Sequence, residues 1–181
     1  TAEVRFLRAL YYYHLMDCFG NIPFLTVVSS EPAPQATRQD VYNFIESELL
    51  DIEGTMSAPM TGTYGRADHA AAWMLLARLY LNAEVYTGTA QWQKAAEYAQ
   101  KVMNSAYKLH TTGSHDAVNN KDWSAYQMLF MGDNGENGAQ CEAILPLLQD
   151  GITTTSWGTS LFLMASTFKD DMTIVGAATN N

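Results

Sequence analysis

The pattern Trp-x2-Leu-Ala-x2-Tyr at residues 73–80 restricts the fold of this chain more than any other feature. It matches the Trp-x2-Leu-Gly-x2-Tyr pattern of tetratricopeptide helices, with alanine in the small position. A small residue there lets a second helix approach closely, while the larger side chains pack around it. The second helix is predicted over residues 92–106, where small and apolar side chains share one face. These are Ala95, Ala96, Ala99 and Val102.

The helix that contains this pattern is predicted over residues 70–86, with Asp68 as its N-cap. Together the two helices predict an antiparallel, tetratricopeptide-like hairpin. A generic helical hairpin is the alternative that the motif alone leaves open. The sequence has no clean 34-residue repeat, so a regular array of such hairpins is not expected.

Two more helices are predicted before the hairpin. Residues 4–18 have apolar side chains at helical spacing, and Gly20 followed by Pro23 ends that helix. Thr37 followed by Asp40 is a variant of the capping box and predicts the start of the next helix. We therefore expect a mainly α-helical fold over residues 1–109.

Helical spacing also predicts which side chains face the core. In the first helix these are Val4, Leu7, Leu10, Tyr11 and Leu15, and in the second they are Val41, Phe44, Ile45, Leu49 and Ile52. The aromatic residues expected in the core include Tyr11, Trp73 and Tyr80. The acidic residues of the second helix, Glu46, Glu48, Asp51 and Glu53, are interpreted as a solvated face.

Residues 110–181 have a different character and predict a loop-rich region. Residues 110–122 are polar, residues 123–131 are rich in aromatic side chains, and residues 132–138 form a polar loop. Residues 142–148 are interpreted as a short strand, which Pro146 restricts to a sheet edge. The two cysteines, Cys18 and Cys141, form no metal motif, and each is expected to be a small buried hydrophobic residue.

The composition excludes several functional classes. Ten basic residues stand against 19 acidic ones, and a formal net charge of −9 argues against binding to nucleic acid. The 48% content of hydrophobic residues is typical of a folded chain, and no transmembrane helix is predicted. The first five residues do not resemble a signal peptide, and the helical pattern is already present at Val4. We interpret the sequence as a segment of a longer protein.

Motifs for catalysis or for cofactor binding are weak, and no cofactor is expected. The histidines His14, His69, His110 and His115 lack the spacing of zinc ligands. Asp133, Glu136 and Glu142 include enough carboxylates for a glycosidase, and Asp133, Asn134 and Glu136 have the oxygens of a calcium site. A solvated acidic turn is the favoured interpretation of both sets. The sequence has neither a phosphate-binding Gly-Lys-Ser/Thr loop nor a Gly-x-Ser-x-Gly motif.

Trp157 is the candidate binding residue, because it lies in a polar loop where neither a helix nor a strand requires it. The face of a tryptophan ring offers apolar area and an electron-rich surface to the C–H groups of a sugar ring. From the residues alone, burial of Trp157 by its own loop is slightly favoured over sugar binding. Trp123 lies in another polar stretch and presents the same two alternatives.

Many segments of the chain resemble the SusD/RagB family. They are AEVRFLRALY at 2–11, LMDCFGNIPF at 15–24, YGRAD at 64–68, LARLYLNAEVYTG at 76–88, AEYA at 96–99, KV at 101–102, SAYKL at 105–109, LFMGDN at 129–134, EAILP at 142–146 and QDG at 149–151. The resemblance thus runs in order along nearly the whole chain, and the starch-binding members of the family are the most similar.

This resemblance implies a tetratricopeptide scaffold, an α/α superhelix, with a more irregular part that holds the ligand. Residues 1–109 would belong to the scaffold and residues 110–181 to the ligand side, both within one larger domain. The resemblance also implies a surface lipoprotein of the outer membrane, with its lipid anchor outside this segment. Such proteins bind oligosaccharides or polysaccharides, here an α-glucan, without cleaving them, and pass them to a TonB-dependent outer-membrane transporter. The alternative is a scaffold that caps the transporter for a different glycan.

The resemblance also bears on Trp157, which aligns with a tyrosine that contacts starch in the family. A change from tyrosine to tryptophan keeps a flat stacking surface and removes a hydroxyl. With this alignment, sugar stacking becomes the favoured role of Trp157. A second departure is an insertion around residues 114–123, which is interpreted as a longer surface loop.

Overall fold

The computed structural model describes residues 2–148, and those up to Pro146 belong to one compact unit. The helices are α1 (Ala2–Phe19), α2 (Arg38–Ile52), α3 (His69–Leu81), α4 (Ala83–Thr87), α5 (Trp92–Met103) and α6 (Ala125–Met128). The strands are β1 (Ile22–Pro23), β2 (Gln35–Ala36), β3 (Ser114–Asp116) and β4 (Lys121–Trp123). They pair as two antiparallel ribbons, β1 with β2 and β3 with β4. The predicted mainly α-helical fold is therefore confirmed, and the described residues after α5 are rich in loops, as expected.

Capping residues set the helix boundaries as predicted. The Thr37 hydroxyl accepts the Asp40 N–H at 3.2 Å, and the Asp40 carboxylate accepts the Thr37 N–H at 3.2 Å, so the capping box is complete. Gly20 ends α1 with a left-handed φ of 75°, and its N–H donates to the Met16 carbonyl at 2.9 Å. A β-carbon at Gly20 would also lie 2.9 Å from the Arg38 guanidinium, but that group is the movable end of a long side chain, so the left-handed φ is the main reason for glycine there.

The predicted hairpin consists of α3 and α5, which pack against each other in antiparallel orientation. Lys101, late in α5, lies over the ring of Trp73 early in α3, at 5.8 Å. Lys94, early in α5, lies over the ring of Tyr80 late in α3, at 4.9 Å. The tetratricopeptide pattern therefore performs the packing role that its sequence predicts.

Both helices of the hairpin are shorter than predicted. The helix predicted over residues 70–86 ends earlier, as α3, because Asn82 leaves the helical conformation and its side chain donates to the Arg78 carbonyl at 3.4 Å. A separate short helix, α4, follows. The helix predicted over residues 92–106 is α5, and it ends at Met103. The Ser105 hydroxyl and N–H both donate to the Val102 carbonyl and close a tighter turn there.

The core lies between α1, α2 and α3, and α5 closes one side of it. Val41, Ile45, Leu49 and Ile52 of the predicted α2 face are fully buried. Phe44 lies at the margin of the core, and Tyr42 is a buried residue that the predicted face omitted. In α3, Leu76 and Tyr80 are buried, whereas Trp73 is half-buried.

The predicted core face of α1 is wrong for four of its five residues, and only Leu10 packs against the core. Val4 and Tyr11 are 69% and 66% exposed, and Leu7 and Leu15 are also exposed. The side chains that α1 buries lie on another face, namely Phe6, Ala9, Tyr13 and Met16. This helix is apolar on two faces, so its spacing alone did not identify the inner one. Cys18 is likewise exposed, not buried as predicted, and Cys141 is half-buried.

The interpretation of the acidic residues of the predicted second helix as a solvated face is also wrong for three of the four, of which Glu53 lies just after the end of α2. Glu48 keeps only 12% of its side chain exposed and pairs with Arg5 at 2.7 Å and Arg8 at 2.5 Å.

Glu53 accepts the indole N–H of Trp73 at 2.7 Å and the Lys101 ammonium at 2.6 Å. Glu46 is half-buried beside Tyr80 and Lys94, and only Asp51 is well exposed. These carboxylates connect α2 to α1, α3 and α5.

Replacement of Glu48 by glutamine is expected to make stability less sensitive to acid. The Arg5 hydrogen bond is the largest influence on the pKa of Glu48, and with Arg8 it outweighs burial and holds that pKa below the ordinary 4.5. A carboxyl whose pKa is lowered on folding stabilises the protein above its unfolded pKa, and this contribution is lost as the pH falls through the folded pKa. Glu48→Gln should therefore cost about 1 kcal/mol at pH 7, because the pair is partly solvated.

Urea unfolding between pH 7 and pH 3 measures this effect. The stability lost by the parent protein below pH 4.5 should be smaller in Glu48→Gln than in the control Glu84→Gln, which removes an exposed carboxylate from α4. Equal acid sensitivity in the two variants would contradict the assignment.

Among the described helices, none has the length and hydropathy that a membrane crossing requires.

Candidate functional site

Trp157, the predicted sugar-stacking residue, lies outside the described residues. The loop-rich residues that precede it, from the end of α5 to Pro146, are described and form the candidate ligand side of this unit. The short strand predicted over residues 142–148 is absent there. Ile144 and Leu145 instead pack irregularly against the helical core, and Pro146 has no amide hydrogen for a strand ladder.

A buried carboxylate fixes the loop-rich part to the helices. The hydroxyl of Tyr107 donates to Asp68 at 2.8 Å, and Asp68 is also the N-cap of α3. Burial, followed by this hydrogen bond, raises the pKa of Tyr107, so the hydroxyl remains a donor. Tyr64, from the loop before α3, lies so close to Gly135 that a side chain there would approach its ring to 2.9 Å. The loops therefore have a defined position on the scaffold.

The insertion around residues 114–123 is an exposed β-hairpin of β3 and β4. Asp116 accepts the N–H groups of Val118 and Asn119 in the turn, and the Asn119 hydrogen bonds lower the pKa of Asp116. The base of the hairpin is close-packed, because a side chain at Gly113 would lie 2.5 Å from the Trp123 carbonyl oxygen.

Trp123, at the end of β4, is half-buried, and the Lys121 ammonium lies 3.8 Å from the centre of its ring. Lys121 thus covers one face of the indole by a cation–π contact. The arrangement favours the structural alternative for Trp123 over a free stacking surface.

The acidic loop is stabilised by its own side chains. Asp133 accepts the amide of Asn137 at 3.0 Å, and Glu142 accepts the N–H of His110 at 2.8 Å. Two of the three carboxylates considered for a glycosidase or a calcium site, Asp133 and Glu142, therefore have separate structural partners. Within residues 2–148 no group of three His, Cys, Asp or Glu side chains is arranged to hold a metal ion.

Two exposed aromatic side chains lie on the turn that precedes the acidic loop. Tyr126 and Phe130 are 70% and 73% exposed, and their ring centroids are 5.1 Å apart with an interplanar angle of 65°. We call them the aromatic pair. The sequence analysis noted an aromatic-rich stretch here but did not single out these residues. The sequence signal for them was their spacing of four positions within a polar stretch, which places two aromatic side chains on one face of a helical turn.

An open cleft of about 710 Å³ adjoins the same turn. His110 and Asn137 contribute to its polar lining, and Met128 of α6 contributes apolar surface. Nε2 of His110 is buried and has no hydrogen-bond partner among the described residues. Neither ring of the aromatic pair lines this cleft, which meets the turn at Met128. The aromatic pair and the cleft are therefore two separate surface features, one with ring faces that suit sugar C–H groups and one with polar groups that suit hydroxyls.

The sequence matches known proteins along most of its length. A family model described as SusD-like, "starch-binding associating with outer membrane", matches residues 1–81. The starch-binding protein SusD of Bacteroides thetaiotaomicron is 46% identical over 167 residues, which are 92% of this chain and 28% of that protein. The chain thus spans little more than a quarter of the length of this relative.

Solved structures agree with the fold. A SusD-like protein of Bacteroides fragilis superposes with a TM-score of 0.61 over 82% of this chain and 27% of its own, at 22% identity. A SusD superfamily protein of Parabacteroides distasonis superposes with a TM-score of 0.52 over 60% of this chain and 25% of its own, at 33% identity. The tetratricopeptide pattern, the helical architecture and these matches agree, and the chain belongs to the SusD-like family.

Proposed function

We propose that this chain is part of a cell-surface protein that captures starch or malto-oligosaccharides and passes them to a partner TonB-dependent outer-membrane transporter. The identity of 46% over 92% of the chain to a protein named as starch-binding supports this proposal most strongly. The family description, which mentions association with the outer membrane, supports the location. A lipid anchor on the full-length protein would hold it at the surface.

The proposed mechanism is recognition without cleavage. Trp157 stacks on a glucose ring, within an arc of aromatic and polar groups that fits the helical shape of an α-1,4-glucan. The affinity is expected to be modest, because stacking and rim hydrogen bonds must offset the cost of ordering a flexible ligand. The loop carboxylates of the described residues support binding over hydrolysis, since Asp133 and Glu142 are engaged in separate structural hydrogen bonds.

Trp157→Ala is expected to weaken α-glucan binding by about tenfold or more, because one stacked aromatic ring typically contributes a large share of a shallow sugar site. Affinity electrophoresis of the full-length protein through gels that contain amylopectin, pullulan, dextran or inulin measures this. The parent protein should be retarded by amylopectin and pullulan only. The matched control is Trp92→Ala, which removes an exposed tryptophan from α5 and should leave retardation unchanged.

Co-purification with the transporter separates the two roles. Trp157→Ala should still bind the transporter after it has lost the glucan. If the parent protein binds the transporter but is retarded by none of the four polysaccharides, the proposal of starch fails. The alternative, a scaffold that caps the transporter for a different glycan, would then be favoured. New reducing ends released from starch would contradict the absence of catalysis.

A further inference from the structure

The aromatic pair is a surface feature that the described fold does not explain. Tyr126 and Phe130 are each more than two thirds exposed, whereas Met128 of the same turn is buried and Leu129 is half-buried. Neighbouring exposed aromatic rings leave a contiguous apolar surface in water, and such surfaces often mark an interaction site. The pair is therefore a candidate contact surface for a ligand.

The turn that presents the pair is held rigidly. Ser124 and Gln127 form a complete capping box at the start of α6. The amide of Asn134 donates to the Leu129 carbonyl at 2.8 Å, and that of Asn137 donates to the Met128 carbonyl at 3.1 Å. Both rings are thus mounted on a backbone whose free carbonyls are already satisfied, which lowers the entropic cost of binding a ligand.

The surroundings of the pair indicate the chemistry of the ligand. Residues 124–146 contain no Lys or Arg but include Asp133, Glu136 and Glu142, so the segment that carries the pair is acidic and does not favour an anionic ligand, although Lys108 lines the adjoining cleft. Asp133 and Asn134 are exposed beside the aromatic turn. Asp133 Oδ1 accepts the Asn137 amide and Asn134 Nδ2 donates to the Leu129 carbonyl, so Oδ2 of Asp133 and Oδ1 of Asn134 are the atoms that they offer to hydroxyls. Flat apolar faces with uncharged or acidic polar neighbours suit a neutral polyol.

The angle between the rings narrows the class of ligand. At 65° the two faces form a bent surface, not a flat platform. A flat, ribbon-like glycan would contact one ring at a time, whereas successive residues of a curved α-linked glucan turn relative to each other and can follow both.

We propose that Tyr126 and Phe130 form a second glycan-contact site, which binds consecutive glucose residues of an α-linked chain. This inference rests on the proposed function, because it takes the ligand class from it. It adds two contact residues to Trp157, and both belong to the rigid turn described above.

The test uses the full-length protein and the double variant Tyr126→Ala/Phe130→Ala. Its affinity for amylopectin, from affinity electrophoresis, is expected to fall about tenfold, as two stacking contacts are lost. The conservative double variant Tyr126→Phe/Phe130→Tyr keeps both ring faces and should bind like the parent. Trp92→Ala is the matched control for removal of an exposed aromatic side chain elsewhere.

A second measurement needs no variant. Hydrogen exchange of the parent protein with and without maltoheptaose should show slower exchange in peptides that cover residues 123–131, because a ligand seated on the rings restricts opening of the turn. Unchanged exchange there, or unchanged retardation of the alanine double variant, would overturn the inference. If Trp157→Ala abolishes binding in the same experiment, the proposed function stands without it. If the parent protein binds no α-glucan at all, the proposed function itself fails.

Discussion

Asp68→Ala is expected to lower the free energy of unfolding by about 3 kcal/mol, since it removes a helix cap and leaves several buried donors without an acceptor. Asp68 is only 4% exposed. One carboxylate oxygen accepts the N–H groups of Ala70 and Ala71 at 2.9 and 3.2 Å. The other accepts the N–H of Met60 at 2.9 Å and the hydroxyl of Tyr107 at 2.8 Å. One side chain thus joins α3, the loop before it and the loop-rich part.

The Met60 contact adds to the expected loss. Met60 has a left-handed φ of 61°, which is unfavourable for a residue with a side chain, and its N–H is held by Asp68. Without the carboxylate this loop is expected to relax. Asp68→Asn should lower the free energy of unfolding less than Asp68→Ala, because the amide oxygen can still cap α3. It should still destabilise the protein, because the amide nitrogen would face the Met60 N–H, and both are donors.

Thermal and urea unfolding of the full-length variants measure this order of stability. Asp40→Ala is the matched control, since it removes the aspartate of an exposed capping box and should cost only about 1 kcal/mol. Equal losses in Asp68→Ala and Asp40→Ala would contradict the central role of Asp68.

Leu76→Ala is expected to destabilise the protein by about 3 kcal/mol, within the range measured for leucine deletion in close-packed cores. Leu76 is fully buried on α3, and this helix packs between α2 and α5. A cavity at this position has helices on both sides and little room to collapse.

Urea unfolding again provides the measurement, with Leu81→Ala as the control on the same helix. Leu81 is the last residue of α3 and is well exposed, so its truncation should change stability by less than about 0.5 kcal/mol. A small loss in Leu76→Ala would mean that the α3 packing tolerates rearrangement, contrary to the structure.

Local signals predicted the helix starts correctly because their physical causes are local. Thr37 with Asp40, and Asp68, lie within three residues of the N–H groups that they cap. The tetratricopeptide pattern also predicted the hairpin of α3 and α5 correctly, since the large residues of the pattern recur at helical spacing and pack against neighbouring helices. Helix ends were less accurate, because Asn82 and Ser105 end their helices through side-chain hydrogen bonds that compete with the helical ones.

Ion pairs between residues far apart in the chain could not be predicted from the sequence. Glu48 meets Arg5 across 43 positions, and Glu53 meets Lys101 across 48, so neither contact is visible in a helical pattern. Acidic residues at helical spacing look the same whether water or a distant cation faces them. In α1, apolar residues on two faces left the inner face undetermined until α2 was placed against Phe6 and Tyr13.

The candidate site was predictable only in part. Trp157 was identified from its polar loop and from the resemblance, and its role remains a prediction. The aromatic pair was overlooked, because tyrosine and phenylalanine in a short helical stretch are usually core residues. The exposures of Tyr126 and Phe130, together with the burial of Met128 between them, show that the two rings point outward.

The outward apolar face of α1 has a consequence for the colloidal behaviour of the chain. Its net charge of −9 makes two copies repel each other at a distance, and this repulsion extends over about 8 Å at physiological ionic strength. At contact, however, Val4 and Tyr11 present an attractive hydrocarbon surface. Added salt shortens the range of the repulsion and leaves that attraction intact, so self-association of this chain should increase with ionic strength.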